Sequence, residues 1–267
     1  MEMQDLVILC AAFFVVATLY TSVGHAGASG YLAMMALLAL PPETMRPTAL
    51  TLNILVAALT VYRFRRARFF SWPAVWPFLL GSIPFAAMGG IQSLARGTYY
   101  TTMGAVLLLA ASYLVWRALG TRALMQEGEV RVRKVPAVLM GCVIGFLSGL
   151  IGVGGGIFLS PILLVLGWAG PKTTAGISAP FILVNSAVAL IAGSLTVQAL
   201  PGELPLLAAA ALGGAFFGTW LGLERLQQKG LLVTLAIVMS LAGLKLILTR
   251  TTPSCMTARA PSARQTR

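Results

Sequence analysis

Two stretches of this chain, "GHAGASGYL" (24–32) and "IGVGGGIFL" (151–159), place glycines where an apolar run would otherwise continue. Backbone of this kind suits one chemistry. A helix starting at a glycine break turns its first N–H groups and a partial positive charge toward whatever lies there, which favours an anion. The donors on offer belong to Gly27, Ser29 and Gly30 in the first stretch and to Gly154, Gly155 and Gly156 in the second. Hydroxyls, an amide and a cation follow each break. "RPTALTLN" supplies Arg46, Thr48, Thr51 and Asn53, and "PKTTAGISAPFILVNS" supplies Lys172, Thr174, Ser178, Asn185 and Ser186. Such groups can hold a small anion. They are poorly equipped to transform one, because the chain has one histidine, no paired acids within an apolar run and no His/Cys cluster at metal-ligand spacing. No catalytic residue, metal or cofactor is expected.

Each group also has a structural reading. Glycines four apart, as in Gly141, Gly145 and Gly149 or Gly214, Gly218 and Gly222, let helices approach closely. Three in a row, Gly154 to Gly156, exceed what packing requires and cost about 1 kcal/mol each in a helix. The threonines could be N-caps, and the hydroxyl and amide rows could serve as interhelical glue or as substrate contacts. Arg46, in a loop with Glu43, and Lys172 are either interface anchors or a vestibule for anions. His25 is either a neutral side chain bonded to a carbonyl freed by the break, or a contact responding to pH or substrate.

The elements that must position these residues are membrane spans. The chain is 58% hydrophobic and 10% charged over 267 residues. Residues 136–171 and 173–202 carry no charge at all, and each run exceeds the roughly 20 residues that cross a bilayer. A first run from Leu6 follows Glu2 and Asp5 rather than basic residues, so it reads as a span and not a secretion signal. Spans are expected near 6–23, 47–64, 73–92, 98–117, 136–153, 172–194, 204–223 and 231–248, with short segments at 31–40 and 156–167. The net charge of +12 lies in loops and tails, which suits the positive-inside pattern and a lipid partner rather than nucleic acid. Cys10, Cys142 and Cys255 are too scattered for a metal site or disulfide framework.

The order of segments repeats. "GYLAMMALLALPPETMRPTA" (30–49) faces "GIFLSPILLVLGWAGPKTTA" (156–175) at a shift of 126, pairing Gly30 with Gly156, Arg46 with Lys172 and Thr48 with Thr174. The fold expected is an all-α polytopic membrane protein of two homologous repeats, each of about four to five segments and each with a Gly-broken helix or re-entrant half-helix. The divisions are 1–118 for the first repeat, 119–135 for a basic polar loop, 136–249 for the second repeat and 250–267 for a disordered basic tail. "RFRRAR" is basic where its counterpart "GSLTVQALPGE" is not, and "ERLQQK" reverses that bias. This favours inverted over parallel repeats.

The stretches 145–194, "GFLSGLIGVGGG…", and 23–64, "VGHAGASGYL…", resemble the second- and first-repeat signatures of the TauE/SafE sulfite-exporter family. That resemblance spans about 6–248 and implies a bacterial inner-membrane transporter of sulfite, organosulfonates or related small sulfur anions. The first repeat departs from the pattern, since Ala28 and Ser29 stand opposite Gly154 and Gly155, and Ile151 stands opposite His25. The spans hold almost no acid to couple transport to a proton or sodium. Membrane potential alone favours anion export, by about 2.3 kcal/mol per charge per 100 mV. The alternatives are a transporter of another small substrate on the same fold and a non-transport membrane subunit. A homo-oligomer is left open.

Overall fold

The computed structural model describes residues 3–38, 40–92, 94–119, 130–193, 200–224 and a few positions between 240 and 248. The described residues form α1 (Met3–Ser22), α2 (Ala28–Leu37), α3 (Pro42–Arg66), α4 (Trp72–Ile91), α5 (Arg96–Leu119), α6 (Lys134–Ile151), α7 (Gly156–Val165), α8 (Pro171–Gly193) and α9 (Leu204–Glu224). An isolated bridge between Val130 and Ala169 is the one extended pairing among them. Six of these helices are long and apolar enough to cross a membrane: α1, α3, α4, α6, α8 and α9. The expected span at 231–248, most of the polar loop and the basic tail lie largely or wholly outside the described residues.

Polar and apolar residues are sorted as a bilayer requires. Leu80, Leu139, Val143, Ile191 and Phe216 face outward, whereas Thr21, Ser29, Asn53, Ser148, Ser178 and Asn185 are buried between helices. In hydrocarbon a polar side chain is satisfied only by another helix or by its own backbone.

Close packing comes from the two glycine stripes. A Cβ on Gly141, Gly145 or Gly149 of α6 would collide with the carbonyl oxygens of Phe78, Ser82 and Ala86 on α4. Gly214, Gly218 and Gly222 of α9 stand in the same relation to the carbonyls of Phe14, Thr18 and Ser22 on α1. The α3 and α8 helices cross between these pairs, with α8 also against α4 and α3 also against α9. Exchanging α1, α3 and α4 with α6, α8 and α9 therefore maps this set of contacts onto itself. Backbone cannot yield to a side chain as a flexible neighbour would. Gly145→Val is thus expected to cost about 3 kcal/mol, the upper part of the overpacking range. Leu139→Val, on the exposed face of the same helix, should change little. Melting of both variants in one detergent checks this, and equal melting temperatures would refute the seam.

One expectation needs correction. The third helix begins at Pro42, not at 47, so Glu43 and Arg46 belong to a helix rather than a loop. Its cause is Pro41-Pro42: proline at the first helical position has no N–H to lose and is already at helical φ. Pro47 then sits inside the helix. The positive-φ glycines of the two breaks show a spacing of their own. Gly24 and Gly27 adopt left-handed φ of 82° and 99°, and so do Gly152 and Gly155 at 88° and 79°. These matching positions are 128 residues apart, and the helices that follow start at Pro42 and Pro171, 129 apart. A shift of 128 to 129, rather than 126, superposes these turns and helix starts; it sets Val153 against His25, Gly156 against Ala28 and Ala175 against Arg46.

Candidate functional site

The first helix stops at Ser22 and α2 starts at Ala28; α6 stops at Ile151 and α7 starts at Gly156. Both short helices are N-capped by a left-handed glycine, Gly27 or Gly155, without a side-chain cap. Their first-turn N–H groups have no acceptor within the helix. Each has ten residues, about 15 Å of rise, which is half of a ~30 Å hydrocarbon core.

The two breaks touch. His25, 5% exposed, donates from Nε2 to the carbonyl of Gly156 at 3.2 Å, so a residue of the first break holds the start of α7. Asn53, from the middle of α3, donates to the Val153 carbonyl at 3.3 Å and to Ser186 Oγ of α8 at 3.2 Å. A Cβ on Gly154 would meet the Asn53 amide, Ser186 Oγ at 2.8 Å and Ile182 at 3.0 Å. The second break is therefore wedged between the centres of α3 and α8. At the first break, Ser29 Oγ and Tyr20 Oη share a hydrogen bond of 2.8 Å. Gly30 packs directly on Val16 and Tyr20, and the Tyr31 ring lies over Gly27.

Other expected contacts point elsewhere. Thr48 and Thr51 donate to the carbonyls of Thr44 and Pro47 in their own helix, at 2.6 and 2.9 Å, so they are not N-caps. Thr174 reaches the Ala169 carbonyl at 3.4 Å. Ser178 pairs with Ser160 of α7 at 2.9 Å, and Asn185 bonds the Phe181 carbonyl at 2.8 Å. Arg46 lies 9% exposed with its guanidinium among backbone carbonyls: Gln92, Gly89 and Gly90 at the end of α4, and Gly149 near the end of α6, at 2.6–3.0 Å. Lys172 donates to the Leu223 carbonyl of α9 at 3.3 Å and lies over the Phe69 ring. Both cations thus meet C-terminal ends of helices, whose carbonyls lack helical partners.

The sequence reading missed Tyr20, Tyr31 and Ser148. The available signal was spacing. Tyr31 follows Gly27 by four residues, and helical side chains lean toward the N-terminus.

A membrane bundle whose two half-helices begin at touching glycine breaks is a transporter's layout, and a comparison with protein families agrees. The model of the family described as sulfite exporter TauE/SafE matches residues 9–246. The chain belongs to the TauE/SafE family. This TauE/SafE member is 38% identical over 243 residues to the probable membrane transporter protein y4hK of Sinorhizobium fredii, covering 90% of this chain and 97% of that one. It is 33% identical over 114 residues to the probable membrane transporter protein YunE of Bacillus subtilis, covering 41% and 40% of the two chains. No solved structure matches. The chain is a multi-pass membrane transporter, and both names describe transporters rather than enzymes.

Proposed function

We propose that this TauE/SafE member exports a small sulfur-containing oxyanion, sulfite or an organosulfonate, across a bacterial inner membrane. One observation carries the reading. The two half-helix starts meet through His25 and Gly156, so their positive ends converge on one region of the bundle. The family description names sulfite, and the relatives named above come from bacteria.

In this reading the chain is an internal duplication with inverted halves. The exchange of helix contacts, the matching left-handed glycines and the opposed loop charges support it. The polar contacts offered to substrate are the α2 and α7 amino termini at Gly27–Gly30 and Gly154–Gly156, together with His25 and Asn53. Thr48, Thr51, Thr174 and Ser178 contribute through hydrogen bonds within the bundle, as does the Asn185 amide nitrogen, whose Oδ1 has no partner among the described residues. Arg46 and Lys172 serve as clamps on helix ends rather than as an anion vestibule. Purified protein in liposomes should pass sulfite or methanesulfonate when a potential is imposed, with flux reversing sign with the potential. Flux equal to that of empty liposomes for every anion of such a panel would sink the proposal. A second reading, transport of a different small substrate, would be favoured if a non-sulfur ligand moved instead.

A further inference from the structure

We propose that the Tyr31 hydroxyl is a substrate-contacting donor which fixes an oxyanion at the amino terminus of α2, so that the first break holds the charged head group. This rests on the anion-transport reading above and adds a residue and a polarity to it.

The first observation is the hydroxyl itself. Tyr31 is fully buried, and its Oη has no hydrogen-bond partner within the described structure. Buried hydroxyls nearly always have one, so an orphan in a native fold calls for a reason. The position of the phenol is set by its helix. From one turn inside α2, the side chain leans back over the N-cap, and its Cζ and Oη would lie 3.0 Å from a Cβ on Gly27. Phe13 of α1 holds the ring, with centroids 4.9 Å apart. The hydroxyl is thereby held over the unpaired N–H groups of the first turn, where an anion would sit.

The second observation is the company. Ser29, two residues before Tyr31, bonds hydroxyl to hydroxyl with Tyr20 of α1, and the Tyr20 ring lies edge-on to His25 of the same break. At the positions 128 residues on, Val153 for His25, Ile157 for Ser29 and Leu159 for Tyr31 are apolar, while Ser148, for Tyr20, is polar. The second break does have orphan polar atoms nearby, notably Asn53 Oδ1. An amide oxygen is an acceptor only and repels an anion, whereas a phenol can donate. Ser82 Oγ, another orphan, belongs to the closed seam between α4 and α6. Ser148 Oγ, beside Gly155, is an orphan donor at the second break, so the first break is distinguished by its clustered hydroxyls, Tyr31 with Tyr20 and Ser29, and by His25.

The test uses the full chain in nanodiscs and liposomes, with sulfite, methanesulfonate, nitrate and acetate as probes. Tyr31→Phe removes one oxygen and keeps the ring. The expected result is a half-saturating concentration raised at least about tenfold for ligand-induced thermal stabilisation and for flux, with the unliganded melting temperature unchanged. Tyr62→Phe, on a lipid-facing surface, should match wild type. Because Tyr31→Phe also alters a buried core position, 3-fluorotyrosine at position 31 provides the opposite change. It strengthens the donor without removing it and should tighten binding. Half-saturation unchanged in both variants would overturn the assignment. Should only acetate or nitrate respond, and do so through Tyr31, the assignment stands and the sulfur reading falls. A wild-type protein that responds to none of the four overturns both.

Discussion

Replacing Arg46 with alanine is expected to leave little folded protein. The guanidinium is the meeting point of three helix ends: it starts from the second turn of α3 and donates to the last carbonyls of α4 and to Gly149 of α6. Its stem fills the space beside Gly152, where a Cβ would come within 2.8 Å of Arg46 Cγ. Alanine would remove the charge and leave several largely buried carbonyls bare. Breaking a buried charged interaction by removing one partner costs about 3–5 kcal/mol, a large share of the stability of most domains. Arg46→Lys keeps the charge but not the planar fork, so it should fall between the two. Thermal melting and size-exclusion profiles of the three proteins give the answer. An alanine variant melting with wild type would show that the carbonyls do not need the clamp.

The largest effect on transport is expected from Gly154→Ala. Gly154 has φ of 75°, and its missing Cβ is occupied by Asn53, Ser186 and Ile182. The substitution combines backbone strain of about 1–2 kcal/mol with a comparable overpacking cost. The neighbours that must move are the side chains binding the second break to α3 and α8. Flux should therefore drop by more than tenfold even in preparations that remain folded. At the corresponding position of the first break stands Ala26, already carrying its Cβ. Ala26→Gly should cost less than about 1 kcal/mol and retain most of the flux. Matched liposome assays of the two variants decide between a special site and a generally glycine-tolerant loop. Wild-type flux through Gly154→Ala would refute the special site.

The bundle and its breaks were legible because hydrocarbon imposes two demands that sequence displays directly, long charge-free runs and glycines where backbone is left open. Pro171 marked the start of α8 for the same local reason. The shift that superposes the two glycine turns was not legible, since leucines match leucines at many shifts. What aligns the breaks is a dihedral property of Gly24, Gly27, Gly152 and Gly155, and a glycine in sequence does not declare the sign of its φ. The start of α3 was ambiguous because Pro42 and Pro47 could each open a helix. Whether Thr48 and Thr51 were caps could not be read in advance, because a hydroxyl at a given position serves either the helix start or the carbonyl four residues back, and the helix boundary decides which. Tyr31 passed as one more interior aromatic. Only the place of its oxygen over Gly27 sets it apart.

The glycine seams have a consequence for how the chain is made. Each seam joins a helix from one half to a helix from the other: α6 lies in α4, and α9 in α1. A helix made early thus pairs with one made about 200 residues later. At about 5–20 residues per second, α1 waits roughly 10–40 s for α9 to emerge. During that interval Thr18, whose hydroxyl reaches both Phe14 and Gly214 carbonyls in the finished bundle, has only its own helix to bond to. The halves are therefore assembled as two interlocked hands, and the order of synthesis leaves the α1 grip to be closed late.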